Sequence, residues 1–298
     1  MTPPAKLRLG LLQYPVERPE GVAALSAKLR RWLAEGRAGG ADLLVLPEYA
    51  CVELGAAVCA AQGPSEALEL EAMVTQADAV LAAMREAAVA ARAWLLPGTL
   101  PMRRADGAVV NRAPLIAPDG RLAFQEKRHM TRFEAERWGI SAGAPPRVFD
   151  TPWGRIGIAI CYDVEFPKGV RAQVEAGAWL ILAPSCTDTM HGFNRVRIGA
   201  AARAMENQCY VAVTPTVGDA PWSAALDANR GFAAVFGPVD RGFPEDGVLA
   251  RGALDQPGWV FCDLDPARLD VVRAEGAVRN HRDFPRAPVP VPEAAVFA

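Results

Sequence analysis

Short apolar runs recur along the whole chain, each bounded by glycine, proline or charged residues, and they constrain the fold more than any other feature. They are LRLGLLQY near the start, with Leu7, Leu9 and Leu11 alternating, then ADLLVLP (41–47), AWLLPGTL (93–100), APLIAP (113–118), RIGIAI (155–160), AWLILAP (178–184), YVAVTP (210–215), GFAAVFGP (231–238) and WVFCDL (259–264). Continuous apolar runs of this length read as strands covered on both faces. Between them lie segments rich in Ala, Leu, Glu and Arg with apolar residues at three- and four-residue spacing, at 21–38 and 65–93, which predict amphipathic helices. Two more helices are predicted at 167–176, opened by Pro167 in its first turn, and at the alanine-rich 191–208. Alternation of strand and helix predicts an α/β fold around a largely twisted internal sheet. No composition shift marks a linker and no repeat is visible, so residues 1–282 read as one domain. The tail from Asp283 to Ala298 reads as an extended arm at a subunit interface or as disordered chain.

Charge narrows the function. The 298 residues carry 32 Lys+Arg against 34 Asp+Glu, a net −2, which argues against a protein that coats nucleic acid or an acidic membrane surface. No apolar run approaches the ~18 residues of a membrane span, and the apolar stretch before Gln13 is too short for a secretory signal, so a cytoplasmic protein is expected. The six cysteines contain no CxxC, and His129, His191 and His281 are far apart, so zinc-ligand spacing is absent and no metal is expected. Five of the cysteines read as small buried hydrophobes. Basic residues are almost all arginine; Lys6, Lys28, Lys127 and Lys168 are the exceptions, and a lysine among apolar, strand-like neighbours stands out.

Reactive groups in open α/β sheets collect where strands end. ADLLVLP runs into Glu48, RLAFQE into Lys127, and RIGIAI into Cys161, followed by Tyr162-Asp163. Taken singly, these are ordinarily a solvated carboxylate, a surface ion pair with Glu126, and a packed cysteine. Together they form a working set. A thiol is a poor nucleophile until a neighbouring base takes its proton. Glu48 can be that base if burial raises its pKa towards neutrality. Lys127 would face a developing oxyanion, with the backbone N–H of Tyr162, after the nucleophile, as a second donor.

The segments LPEYA around Glu48, EKRHMTRFEAERWGI from Glu126 and GIAICYDVEFP around Cys161 resemble the nitrilase superfamily of carbon–nitrogen hydrolases. The resemblance continues through AGAWLILAPS, ARAMENQCYVAV and GFAAVFGPVD to about Asp265. It implies a four-layer α-β-β-α sandwich, assembly as a homodimer or larger homo-oligomer, and no organic or metal cofactor. It implies Glu48 as general base, Lys127 as the oxyanion lysine and Cys161 as nucleophile. Two departures concern the subfamily: Lys168 follows Phe166-Pro167 where an acid is usual, and Gly231-Phe232-Ala233 lacks the usual hydroxyl. The family also carries a second carboxylate downstream of the lysine. Glu134 and Glu136 compete for that place, and we assign it to Glu134, which is nearer the lysine, with Glu136 as a solvated partner of Arg132 or Arg137. Phe133 and Trp138 would anchor the segment. Glu206 and Asn207 match a stretch that supports the family's site.

The residues after the nucleophile, Tyr162 to Pro167, resemble the amidase-type branches, so hydrolysis of a small amide to an acid and ammonia is expected. Nitrile or N-carbamoyl hydrolysis at the same triad is the enzymatic alternative. A non-catalytic metabolite-binding relative and a redox-sensing Cys161 are the readings from other classes. The loops 185–193 and 216–230 are expected to shape the pocket.

Overall fold

The first apolar run forms the spine of a curled sheet. β1 (Leu7–Pro15) is followed by α1 (Val22–Ala38), β2 (Leu43–Val45), the short α2 (Glu53–Val58), α3 (Glu66–Ala91), β3 (Trp94–Leu96), β4 (Leu100–Arg103), β5 (Val109–Ile116) and β6 (Leu122–Glu126). The chain continues with β7 (Val148–Thr151), β8 (Gly154–Ile158), α4 (Pro167–Glu175), β9 (Leu180–Ser185), α5 (Met190–Asn207), β10 (Tyr210–Asp219) and β11 (Ala228–Asn229). It ends with β12 (Ala234–Phe236), β13 (Val248–Arg251), β14 (Gly258–Leu264), α6 (Pro266–Glu275) and α7 (Asn280–Asp283). This is a computed structural model that describes residues 6–284. The arm expected over Asp283 to Ala298 therefore lies outside the described residues beyond Phe284. The predicted helices appear within two residues of their expected ends.

Strand order runs β4-β5-β3-β2-β1-β10-β9-β8-β7. β1 pairs parallel with β2 in one half, and through Tyr14↔Thr216 and Pro15↔Val217 it pairs parallel with β10 in the other. The two halves fold face to face. Because successive side chains point to opposite faces of a strand, Leu7, Leu9, Leu11, Leu43 and Val45 share a core with Ile156, Leu180, Leu182, Val211 and Val213 of the second half. Their neighbours Leu12, Tyr14, Leu44 and Leu46 point the other way, onto Leu25, Leu29 and Leu33 of α1 and Met73, Val80 and Met84 of α3. On the far side the second half is covered by α4. A Cβ on Gly157 would lie 2.6 Å from Ile181 Cδ1 and 2.9 Å from the Gln173 side chain of that helix. The four layers, helices–sheet–sheet–helices, are those expected. Each fully buried leucine contributes on the order of 1.5–3 kcal/mol, and both faces of the central strands draw on that term. Among the described residues, no helix is long and apolar enough to cross a membrane.

The parallel strands β2, β8 and β9 deliver Glu48, Cys161 and Cys186 just past their C-terminal ends, where the backbone leaves the ladder. The pocket loops are shorter than expected. Thr216 to Asp219 continues β10 and Met190 to Phe193 opens α5, leaving 186–189 and 220–227 as connections.

Candidate active site

Glu48 leaves β2 through Leu46-Pro47, and the next residue, Tyr49, takes a left-handed conformation (φ 57°) before a 3₁₀ turn over Ala50–Val52. The chain is held there by Tyr49 N–H donating to Thr99 Oγ1 at 3.1 Å. Gly98 permits a close approach: with φ 90°, a Cβ on it would fall 1.9 Å from the Pro47 carbonyl oxygen. Glu48 is buried, and both its carboxylate oxygens accept hydrogen bonds. Oε1 accepts from Asn111 Nδ2 at 3.0 Å and Lys127 Nζ at 2.7 Å, and Oε2 accepts from the Cys186 backbone N–H at 3.2 Å.

Lys127 follows the last residue of β6 and is anchored by its own backbone, donating to Asn111 O at 2.9 Å and accepting from Gly143 N–H at 2.8 Å. Its ammonium, 1% exposed, also donates to Glu134 Oε1 at 2.8 Å and Oε2 at 2.7 Å. Glu134 sits on a single π-helical turn, Phe133–Arg137, a geometry often found at functional sites. Tyr49 OH donates to it at 2.7 Å, and Thr131 donates its N–H at 2.9 Å and its hydroxyl at 2.8 Å. Glu136, two residues on, lies outside and pairs with Arg132 Nε at 3.0 Å. Trp138 anchors the turn, packing edge-on against Tyr49 and tilted against Phe133.

Cys161 opens a 3₁₀ turn, Cys161–Glu165, and is itself left-handed at φ 47°, a conformation that costs on the order of 1–3 kcal/mol in a residue with a Cβ. Its Sγ lies 3.7 Å from the Cys186 carbonyl oxygen. Asp163 fixes this turn to the lysine strand, accepting from the N–H groups of Arg128 (3.1 Å) and His129 (2.8 Å) and meeting His129 Nδ1 at 2.8 Å.

The charges follow from burial and neighbours. Burial pushes Glu48 up to about 7, with Lys127 opposing and Glu134 adding to the rise. Burial and then Glu48 push the Cys161 thiol well above its ordinary value. Lys127 is held well above the usual lysine range: burial works against its charge, but the Glu134 and Glu48 carboxylates outweigh it. Glu134 is held low despite burial, because Lys127 lies against it and Lys127, Thr131 and Tyr49 donate to it. The resting pattern is a neutral thiol beside a half-ionised base, a fixed cation and a fixed anion. These groups form the floor of a cavity of about 750 Å³ whose walls include Tyr162, Glu165, Thr187, Arg195 and Leu226.

The structure brings Glu48, Lys127, Cys161 and Glu134 together and places Tyr162 at the same cavity. It corrects one reading. Of the five cysteines expected to be buried, Cys186 and Cys262 are half-buried; Cys186 lines the cavity, its backbone touches both Glu48 and Cys161, and its Sγ accepts from Thr216 Oγ1 at 3.3 Å. Glu206 and Asn207, expected as structural support, do not line the cavity. Glu206 pairs with Arg203 at 2.8 Å, and Asn207 donates to Arg203 O and accepts from Arg171, bracing α5 against α4. Asn111, Tyr49 and Thr131 escaped the sequence reading. Only Asn111 left a signal, as an uncharged polar residue inside an otherwise strand-like run.

The chain is similar over 277 residues, at 30% identity, to the probable hydrolase YhcX of Bacillus subtilis strain 168, a match covering 93% of this chain and 53% of that protein. This chain thus spans about half the length of that relative. It is 28% identical over 257 residues to a deaminated glutathione amidase of Synechocystis sp. strain PCC 6803 / GT-S, covering 82% of this chain and 87% of that one. Among solved structures it is similar to an amidase from Nesterenkonia sp. AN1 bearing the product of Michael addition of acrylamide at its active-site cysteine. That match has a TM-score of 0.69 and 25% identity, over 93% of this chain and 99% of the other. The carbon–nitrogen hydrolase family model matches residues 8–241, and with the fold and the residues above this places the chain in the carbon–nitrogen hydrolase family.

Proposed function

We propose that this chain hydrolyses the C–N bond of a small amide to a carboxylic acid and ammonia through a thioester on Cys161. The observation that carries this reading is the convergence of the Cys161 thiol, one lysine and two glutamates at the floor of one cavity, with Lys127 Nζ within 2.8 Å of both carboxylates. Cys161 Sγ attacks the amide carbon as Glu48 takes the thiol proton. The oxyanion forms opposite Lys127 Nζ and the Tyr162 N–H, each a donor of the kind that stabilises such charge. Collapse breaks the C–N bond, Glu48 returns its proton to the leaving nitrogen, and ammonia departs. Water then attacks the thioester as Glu48 takes its proton; the acid leaves and the proton goes back to sulfur. Glu134 keeps Lys127 charged and aimed. The adducts of acrylamide and of the acetamide moiety of fluoroacetamide on the Nesterenkonia enzyme's cysteine support a small amide as the substrate class.

Ammonia release from a panel of primary amides, with intact-mass analysis of quenched enzyme, tests the reading. Turnover with an acyl adduct that disappears in Cys161→Ala is expected. Turnover that survives in Cys161→Ala, or an adduct on another cysteine alone, overturns it.

A further inference from the structure

Glu69, in the first turns of α3, is a buried carboxylate outside the catalytic cluster, and among the described residues no lysine, arginine or histidine pairs with it. Its partners are neutral and belong to one loop. Ser223 Oγ donates to Oε2 at 2.7 Å, Ala224 N–H donates to Oε1 at 2.7 Å, and Ala225 N–H donates to Oε2 at 3.2 Å. Ser223 Oγ in turn accepts from the N–H groups of Ala225 (3.3 Å) and Leu226 (3.1 Å), so one carboxylate organises the whole turn. That turn is a wall of the catalytic cavity, which Ala224, Ala225 and Leu226 line with small apolar groups.

The same end of α3 also holds a second stretch of the cavity lining. Trp138 Nε1 donates to Glu66 O at 3.1 Å, and Arg137 pairs with the Glu66 carboxylate at 2.7 Å. The π-turn that carries Glu134 and the loop at 223–226 are therefore seated on one helix terminus. A buried anion there is favoured by the helix dipole and by charge-assisted bonds that neutral partners alone can supply.

We propose that Glu69 is a positioning residue that fixes the apolar wall of the pocket and thereby selects the length of the acyl chain the site accepts. The proposal rests on the amide-hydrolase reading above. Glu69→Gln places a donor against the Ser223 and Ala225 donors, and Ser223→Ala removes the hydroxyl's bond to the carboxylate and the two it accepts from the Ala225 and Leu226 N–H groups while sparing the carboxylate. The assay is ammonia release over acetamide, propionamide, butyramide and hexanamide. In both variants the loss in kcat/KM should grow with chain length, least for acetamide, and reach about 10-fold through KM for hexanamide, the scale of one charge-assisted bond. The acid limb of the pH profile should stay where it is, since Glu48 is untouched. An equal loss along the series, or none, in a folded Ser223→Ala overturns the proposal. If the unaltered protein hydrolyses no amide, the amide reading fails and the wall is read separately, from alkylation of Cys161 by 2-bromoacetamide and 2-bromohexanamide. A rate ratio that shifts in the variants upholds the wall assignment, and an unchanged ratio overturns it.

Discussion

Replacing Glu134 by glutamine removes a charge from the cluster while keeping its shape, and the effect can be worked from the geometry. Glu48 and Glu134 both accept from Lys127 Nζ, at 2.7 Å and 2.7–2.8 Å, so the two anionic charges are separated by two hydrogen-bond lengths, roughly 5 Å. At an effective dielectric near 20 their repulsion is about 3 kcal/mol, or roughly two pH units on Glu48. Glu134 is one of the groups that raise Glu48, which stands at about 7. In the proposed mechanism Glu48 must be ionised to accept the thiol proton, so kcat/KM should rise with pH through about 7 in the unaltered protein. In Glu134→Gln the repulsion is gone and Lys127 turns wholly to Glu48. Both effects favour the ionised base, so the acid limb should move down to about pH 5. The plateau should also fall by about 10- to 100-fold, because a weaker base works less well. The assay is the pH dependence of kcat/KM for ammonia release on the best amide of the panel. An acid limb that stays near neutrality in Glu134→Gln, or that moves as far in Glu136→Gln, refutes the reasoning.

Other perturbations follow from the same contacts. Lys127→Arg keeps the charge but replaces a compact donor by a larger planar one, and single-turnover acylation should slow by at least ~100-fold, the scale of one oxyanion donor. Glu136→Gln should retain activity within about 2-fold, since an exposed i,i+4 pair contributes only ~0.3–0.5 kcal/mol. Glu53, buried and bonded to Tyr14 OH at 2.6 Å and Lys28 Nζ at 2.9 Å, leaves the buried Lys28 ammonium with the Pro15 carbonyl and a longer 3.7 Å pair to Glu17 when changed to Ala. Denaturant unfolding of Glu53→Ala should show a loss of about 3–5 kcal/mol, part of which Lys28→Met restores in the double variant.

The layers and helices were legible because burial on two faces writes continuous apolar runs, and Leu7 to Tyr14 displays both faces within one strand. Glu48, Lys127 and Cys161 were legible because each ends such a run. Glu134 is preferred to Glu136 because it lies nearer Lys127 along the chain, in a segment anchored by Phe133 and Trp138. Cys186 and Asn111 were not legible for a different reason. Cys186 acts through its backbone N–H and carbonyl, which no side chain announces, and Asn111 acts from a neighbouring strand whose register is set by pairing with β6, where Arg112 faces Glu126. The pocket wall at 223–226 was hidden for the same cause, since its partner Glu69 lies 154 residues away from Ser223.

The pairing of two glutamates with one lysine also settles a question of charge. With Glu48 ionised, the buried cluster holds two carboxylates and one ammonium beside a neutral thiol, a net −1. In the proposed tetrahedral intermediate Glu48 carries the thiol proton and is neutral, while the oxyanion bears the negative charge; Lys127 and Glu134 are unchanged. The net charge is again −1, and the negative charge has only moved from one side of Lys127 Nζ to another. Among groups buried this deeply, creating new charge is expensive, whereas moving existing charge around a fixed cation requires little reorganisation. A lone lysine–glutamate pair would conserve charge in the same way, at net zero, but without the repulsion from Glu134 its glutamate would be too acidic to hold the thiol proton. In the proposed mechanism Glu134 thus bears on the chemistry through Glu48 as well as through Lys127, which is why its loss should be read in the acid limb and not in the plateau alone.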